Sequence, residues 1–115
     1  DDFKRINDIY GHLTGDNVLK AAAVIVKNSV RRSDYAFRYG GEEFLLLLPS
    51  TNIENASATA NRLREEIPAS LKPRVTLSAG ISTWKGEDAT DFIRKTDALL
   101  YLAKENGKDR IEKEV

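Results

Sequence analysis

The 115-residue chain contains no cysteine and a single histidine, His12. The first absence excludes a disulfide framework and thiolate metal sites, and the second excludes a multi-histidine metal cluster. No apolar run approaches the roughly 20 residues needed to span a bilayer, and no secretory signal is visible. A cytoplasmic domain without direct membrane contact is therefore expected, either free or as the output part of a larger, membrane-anchored protein. Charge of neither sign prevails: 18 Lys and Arg balance 18 Asp and Glu. Because the two signs are interspersed, no basic face announces a nucleic-acid polymer and no like-charge tail announces disorder. Methionine is missing too, and the opening Asp1-Asp2-Phe3-Lys4 is abrupt, so the expectation is a piece of a longer protein.

What is present suits one globular domain over residues 1–115, with 41% hydrophobic and 31% charged residues. Phe3, Ile6 and Tyr10 fall at helical spacing, and Gly11 stops the pattern. After a polar loop, Asp16 reads as the N-cap of a second helix with Val18, Leu19, Ala22, Ala23, Val26 and Val30 on its apolar stripe, ending near Arg32. Residues 35–39 alternate, Gly40-Gly41 suits a two-residue hairpin turn at positive φ, and Glu42 to Leu48 returns as a strand. The run Phe44-Leu45-Leu46-Leu47-Leu48 predicts a strand covered on both faces. A third helix spans about Ile53 to Ile67, and Arg74 to Trp84 reads as a strand with Gly80 at a close backbone approach. Asp88 or Thr90 caps a fourth helix, Gly107 is a left-handed C-cap, and Ile111 lies in a short last strand.

This order begins with two helices that must cover a sheet not yet begun. One strand before Asp1 completes a β-α-β-β-α-β core, an α+β, ferredoxin-like fold with a mainly antiparallel central sheet flanked by helices. The first strand is thus expected upstream.

Glu42 and Glu43 follow a glycine turn at the end of an otherwise apolar strand. Neighbours on a strand point to opposite faces, which predicts different tasks: one carboxylate to hold a hard cation such as Mg²⁺, the other to serve as ligand or base. Gly40 and Gly41 allow backbone to approach a phosphate or ribose. The glycines and acids alone fit a solvated hairpin tip better, since Gly-Gly turns are common hairpin devices.

Neighbouring segments narrow the choice. Asp1-Asp2-Phe3-Lys4-Arg5-Ile6-Asn7-Asp8, Tyr10-Gly11-His12, Gly15-Asp16, Arg38-Tyr39-Gly40-Gly41-Glu42-Glu43-Phe44, Thr76-Leu77-Ser78-Ala79-Gly80 and Asp97-Ala98-Leu99-Leu100-Tyr101-Leu102-Ala103-Lys104 together resemble the GGDEF family of diguanylate cyclases in order and spacing. The resemblance implies a palm-type nucleotidyl cyclase that condenses two GTP into cyclic di-GMP with Mg²⁺ or Mn²⁺, releasing two pyrophosphates, in a two-fold homodimer. It implies guanine recognition by Asn7 and Asp16, a nucleotide contact at His12, and metal ligation and catalysis by Glu42 and Glu43. Lys104 and Lys108 fall at positions that hold the terminal phosphates. Arg31 and Asp34 match an inhibitory Arg-x-x-Asp site for cyclic di-GMP, with Arg62 as a secondary arginine. Read from chemistry alone, the lysines also suit a helix C-terminus, Arg31 and Asp34 a surface ion pair, and Arg62 a surface arginine.

The resemblance carries one departure. The family pattern Asp-x-Asp-x-Phe-Lys puts its second Asp at Asp1, so the first, metal-binding Asp is expected upstream, and a molecule that truly starts at Asp1 is expected to be poorly stable and nearly inactive. The rival readings are an inactive GGDEF domain that senses GTP or cyclic di-GMP, and a purely structural interaction domain.

Overall fold

The computed structural model describes all 115 residues. Its elements run α1 (Phe3–Tyr10), α2 (His12–Ser29), β1 (Tyr35–Arg38), β2 (Phe44–Leu47), α3 (Ile53–Ser70), β3 (Ala79–Ile81), α4 (Ala89–Glu105) and β4 (Ile111–Lys113). The α+β class and the element order follow the expectation. The sheet is built as two ladders. β1 and β2 pair antiparallel with Tyr35 opposite Leu47 and Arg38 opposite Phe44. β3 and β4 pair parallel with Ala79 opposite Ile111 and Ile81 opposite Lys113.

An apolar cleft of about 620 Å³ separates the ladders, walled by Leu45 and Leu47 on one side and Val75 and Leu77 on the other. Only 11 residues of the chain are buried, because this cleft leaves both facing strands half covered. It also corrects the reading of β2 as covered on both faces: Phe44, Leu45 and Leu46 are half-buried and Leu47 is exposed. The closed core lies instead between helices, where Ile6 of α1, Val18 and Ala22 of α2, and Ile67 and Leu71 at the end of α3 pack together with Phe3, Ile25 and Val75 at the margin.

The helix ends have local causes. Asn52 caps α3 by accepting from the Asn55 N–H (2.8 Å), and Asp88 caps α4 by accepting from the Asp91 N–H (2.8 Å); the second decides between the two candidate caps. α4 ends in a Schellman turn: Gly107 sits at φ 121°, its N–H donates to Lys104 O, and the Lys108 N–H donates to Ala103 O. The start of α2 differs from expectation. Gly11 alone joins α1 to α2, at φ 91°, with its N–H on Asn7 O and its carbonyl accepting from the Gly15 N–H. The supposed polar loop is thus the first turn of α2, and Asp16 lies inside the helix rather than at its cap.

β3 is shorter than the predicted Arg74–Trp84 strand. Its partner β4 has three residues, and residues 74–78 run extended beside the cleft without a ladder partner. Gly80 is the close approach foreseen: a Cβ there would overlap Thr96 O and come within 2.9 Å of Leu99 Cβ. Lys95 of α4 ties the far end of the chain, its Nζ meeting Glu87 (3.1 Å), Glu114 (3.1 Å) and Thr83 O (2.7 Å). Since neither β3 nor α4 can retreat without losing these contacts, Gly80→Ala should destabilise the fold by about 1–3 kcal/mol through overpacking, read as a lower urea midpoint with an unchanged slope.

Candidate active site

The hairpin that carries the two glutamates is wider than the two-residue turn predicted. Arg38 is still paired with Phe44, so residues 39–43 form the turn. Neither Gly40 nor Gly41 has a positive φ. The turn closes by another device: the Glu43 carbonyl accepts from both the Tyr39 N–H (2.9 Å) and the Gly40 N–H (3.3 Å), while the Arg38 guanidinium donates to Gly41 O (2.8 Å). Freed from strand alternation, Glu42 and Glu43 both line the cleft rather than pointing to opposite faces. Glu42 is exposed and Glu43 half-buried. A Cβ on Gly40 would lie 3.2 Å from Glu43 Oε1, so this glycine leaves room for that carboxylate.

Asp1 and Lys104 line the same cleft. Asp1 is held by donors from two directions: Oδ1 accepts from the Ser78 hydroxyl (2.7 Å), and Oδ2 accepts from the Thr76 hydroxyl (2.9 Å) and the Asp109 N–H (3.2 Å). Sequence reasoning overlooked this role. The signal was available, since hydroxyls at 76 and 78 share one face of an extended segment. Next door, the Lys108 Nζ donates to Asp2 Oδ1. That hydrogen bond lowers the Asp2 pKa, with partial desolvation opposing it and the Lys108 charge assisting. Lys104 and Lys108 therefore stand on either side of the Schellman turn and close to the first two residues. Glu42 lines the same cleft as Asp1 and Lys104.

The donor set suits a hard cation only in part. Glu42 and Glu43 offer carboxylates, but the Asp1 carboxylate is engaged by Thr76, Ser78 and Asp109, and no three acidic or histidine side chains converge.

The remaining candidates occupy two other places. Asn7 and Asp16 sit where α1 and α2 meet, Asn7 with Oδ1 buried and unpartnered, Asp16 exposed; His12 is exposed at the first residue of α2. None of the three lines the cleft. Arg31 and Asp34 line a separate depression of about 660 Å³ with Lys27, Arg32, Phe37 and Arg38. The Asp34 side chain is 4% exposed; Oδ2 accepts from the Arg31 N–H (2.8 Å), whereas Oδ1 is buried without a partner. The Arg31 guanidinium is held by Thr51 Oγ1 (2.6 Å) and Pro49 O (3.2 Å). Arg62 lies outside that depression, donating to Ser29 O (3.0 Å).

An α+β domain that lines one cleft with Glu42, Glu43 and Lys104, and holds Lys108 on the nearby Asp2, has the charges for handling phosphate esters. Residues 1–110 match the model of the diguanylate cyclase GGDEF domain, and the chain belongs to the GGDEF family. It is 43% identical over 119 residues to the diguanylate cyclase DgcP of Pseudomonas aeruginosa, covering 97% of this chain but 18% of that protein. Among solved structures, the GGDEF domain of DgcB from Caulobacter crescentus in complex with c-di-GMP is 30% identical with a TM-score of 0.93, covering 98% of this chain and 72% of that one. The active GGEEF domain of a diguanylate cyclase from Vibrio cholerae is 34% identical with a TM-score of 0.88, covering 98% and 76%. The chain spans less than a third of the curated relatives DgcP, diguanylate cyclase A of Treponema denticola and DgcM of Escherichia coli. No helix is long and apolar enough to cross a membrane.

Proposed function

We propose that this domain is a diguanylate cyclase that joins two GTP molecules into cyclic di-GMP. The observation that carries the reading is the presence of Glu42, Glu43, Lys104 and Asp1 in the lining of one cleft, with Lys108 held on Asp2. In each of two steps the 3′-oxygen of one GTP attacks the α-phosphorus of the other, the bond to the β-phosphate oxygen breaks, pyrophosphate leaves with that electron pair, and the 3′-hydroxyl proton is lost. Glu42 or Glu43 takes the proton. Lys104 and Lys108 hold the terminal phosphates and offset the charge that gathers on the departing pyrophosphate. Asn7 and Asp16 hold guanine: the carboxylate accepts from N1–H and the exocyclic amine, and the carboxamide serves the remaining edge. His12, at the start of α2, makes a further nucleotide contact. Gly40 and Gly41 let the turn come close to phosphate or ribose.

Glu42 and Glu43 would hold a Mg²⁺ or Mn²⁺ ion, which when bound would supply further charge neutralisation at the phosphates. Because one domain holds one GTP, two copies must face each other across a two-fold axis to react. Product binds at Arg31 and Asp34, where the partnerless Asp34 Oδ1 and the basic rim suit guanine donors and phosphate oxygens; Arg62 assists from α3.

With the full-length protein, GTP and Mg²⁺, chromatography should reveal cyclic di-GMP, and Glu43→Gln should lower the rate by on the order of 10²-fold or more. Product binding without any turnover would instead make the domain a sensor. Arg31→Ala should weaken cyclic di-GMP binding by on the order of tenfold in calorimetry. Unchanged affinity would remove the inhibitory site.

A further inference from the structure

Gly15 occupies the fourth position of α2 and is buried. Its φ is not in the left-handed region, so the backbone there tolerates any L-residue. Glycine within a helix is less stable than alanine, and its presence calls for a reason. The reason is space. A Cβ at position 15 would overlap Asn7 Oδ1, stand 2.9 Å from Asn7 Cγ, and approach Phe3 Cζ to 3.3 Å. Asn7 in turn has no other anchor for its carboxamide: Oδ1 is buried and unpartnered. Its backbone carbonyl is already committed to the Gly11 N–H (2.9 Å), and Gly11 O accepts from the Gly15 N–H (3.1 Å). The same short turn thus fixes both the backbone of Asn7 and the surface against which its side chain lies.

We infer that Gly15 is a positioning residue for nucleobase binding: its bare Cα is the seat that sets the rotamer of Asn7 and hence the spacing between the Asn7 carboxamide and the neighbouring Asp16 carboxylate. One amide atom is sealed against Gly15, and the planar sp² geometry turns the other away from it, free to meet a base. Planar groups of fixed tilt discriminate among bases because a misplaced donor leaves a polar edge unpaired. Any side chain at 15 rotates or displaces the carboxamide while leaving the Asp16 backbone in place. This inference rests on the guanine-binding reading of Asn7.

A double-mutant cycle in the full-length protein tests it, with 3′-deoxy-GTP as the probe, since it lacks the attacking hydroxyl and cannot turn over. Asn7→Ala should weaken binding on the order of tenfold, Gly15→Ala should do the same, and Gly15→Ala should add less than about twofold once Asn7 is Ala. Thermal melting gives a second readout: without the carboxamide to displace, Gly15→Ala should be neutral or stabilising in the Asn7→Ala background through helix propensity. Wild-type affinity in Gly15→Ala, or a loss as large in the Asn7→Ala background as in the native chain, overturns the inference. Wild-type affinity in Asn7→Ala overturns the guanine reading itself and the inference with it. Should Gly15→Ala fail to fold, the double variant decides: affinity equal to that of Asn7→Ala supports the seat, and weaker binding or failure to fold overturns it.

Discussion

The arrangement of charge in this domain depends on the Asp1 carboxylate. It gathers the hydroxyls of Thr76 and Ser78 from the extended segment before β3, and the amide of Asp109 from beyond α4. Charge-assisted hydrogen bonds of this kind are among the stronger ones, and three of them on one carboxylate compensate its partial burial. The first residue of the chain is thereby tied to the region near its last. Glu42 and Lys104 line the same cleft as Asp1, and Lys108 is held on Asp2 beside it. The Schellman turn cooperates: it reverses the backbone after Lys104 and carries Lys108 and Asp109, both at positive φ, back toward Asp1 and Asp2.

Around this node the molecule divides its labour. Acid and base groups lie at the mouth of the cleft, on a turn whose closure by the Glu43 carbonyl lets neighbouring glutamates face one way. Asn7 and Asp16, the residues proposed to read the base, lie on a different element pair, where α1 and α2 meet across a single glycine linker. The helical core of Ile6, Val18, Ala22, Ile67 and Leu71 keeps α1 and α2 in fixed relation. The depression at Arg31 and Asp34 lies apart but borders the cleft: Val26 and Phe44 line both, and Arg31 bonds Pro49 O and Thr51 on the cleft wall.

Much of this was legible beforehand. The amphipathic spacing in α2, α3 and α4 marked the helices, and Gly107, with Asp88 or Thr90 as the cap, marked the ends of α4 through local chemistry that needs no partner. The errors share a cause. The start of α2 was misplaced because Asp16 is a good cap in isolation, whereas Gly11 lets the helix begin a turn earlier. β2 read as doubly covered because its side chains are apolar on both faces, yet coverage depends on what packs there, and here a cleft does. Glu42 and Glu43 were assigned opposite faces by a strand rule that lapses once they belong to a turn.

By itself, the order of residues determined the element types, the α+β class, and the kinds of chemical groups available: adjacent carboxylates, paired lysines, an asparagine and an aspartate nine positions apart. Those properties follow from local propensity, periodicity and side-chain chemistry. Only the tertiary structure decided which groups meet. It joined Asp1 to Thr76, Ser78 and Asp109, left Asn7 seated on Gly15, and kept Arg62 on Ser29 O rather than in the depression beside Arg31. Contacts between residues distant in the chain depend on how whole elements pack, and no local pattern encodes that distance.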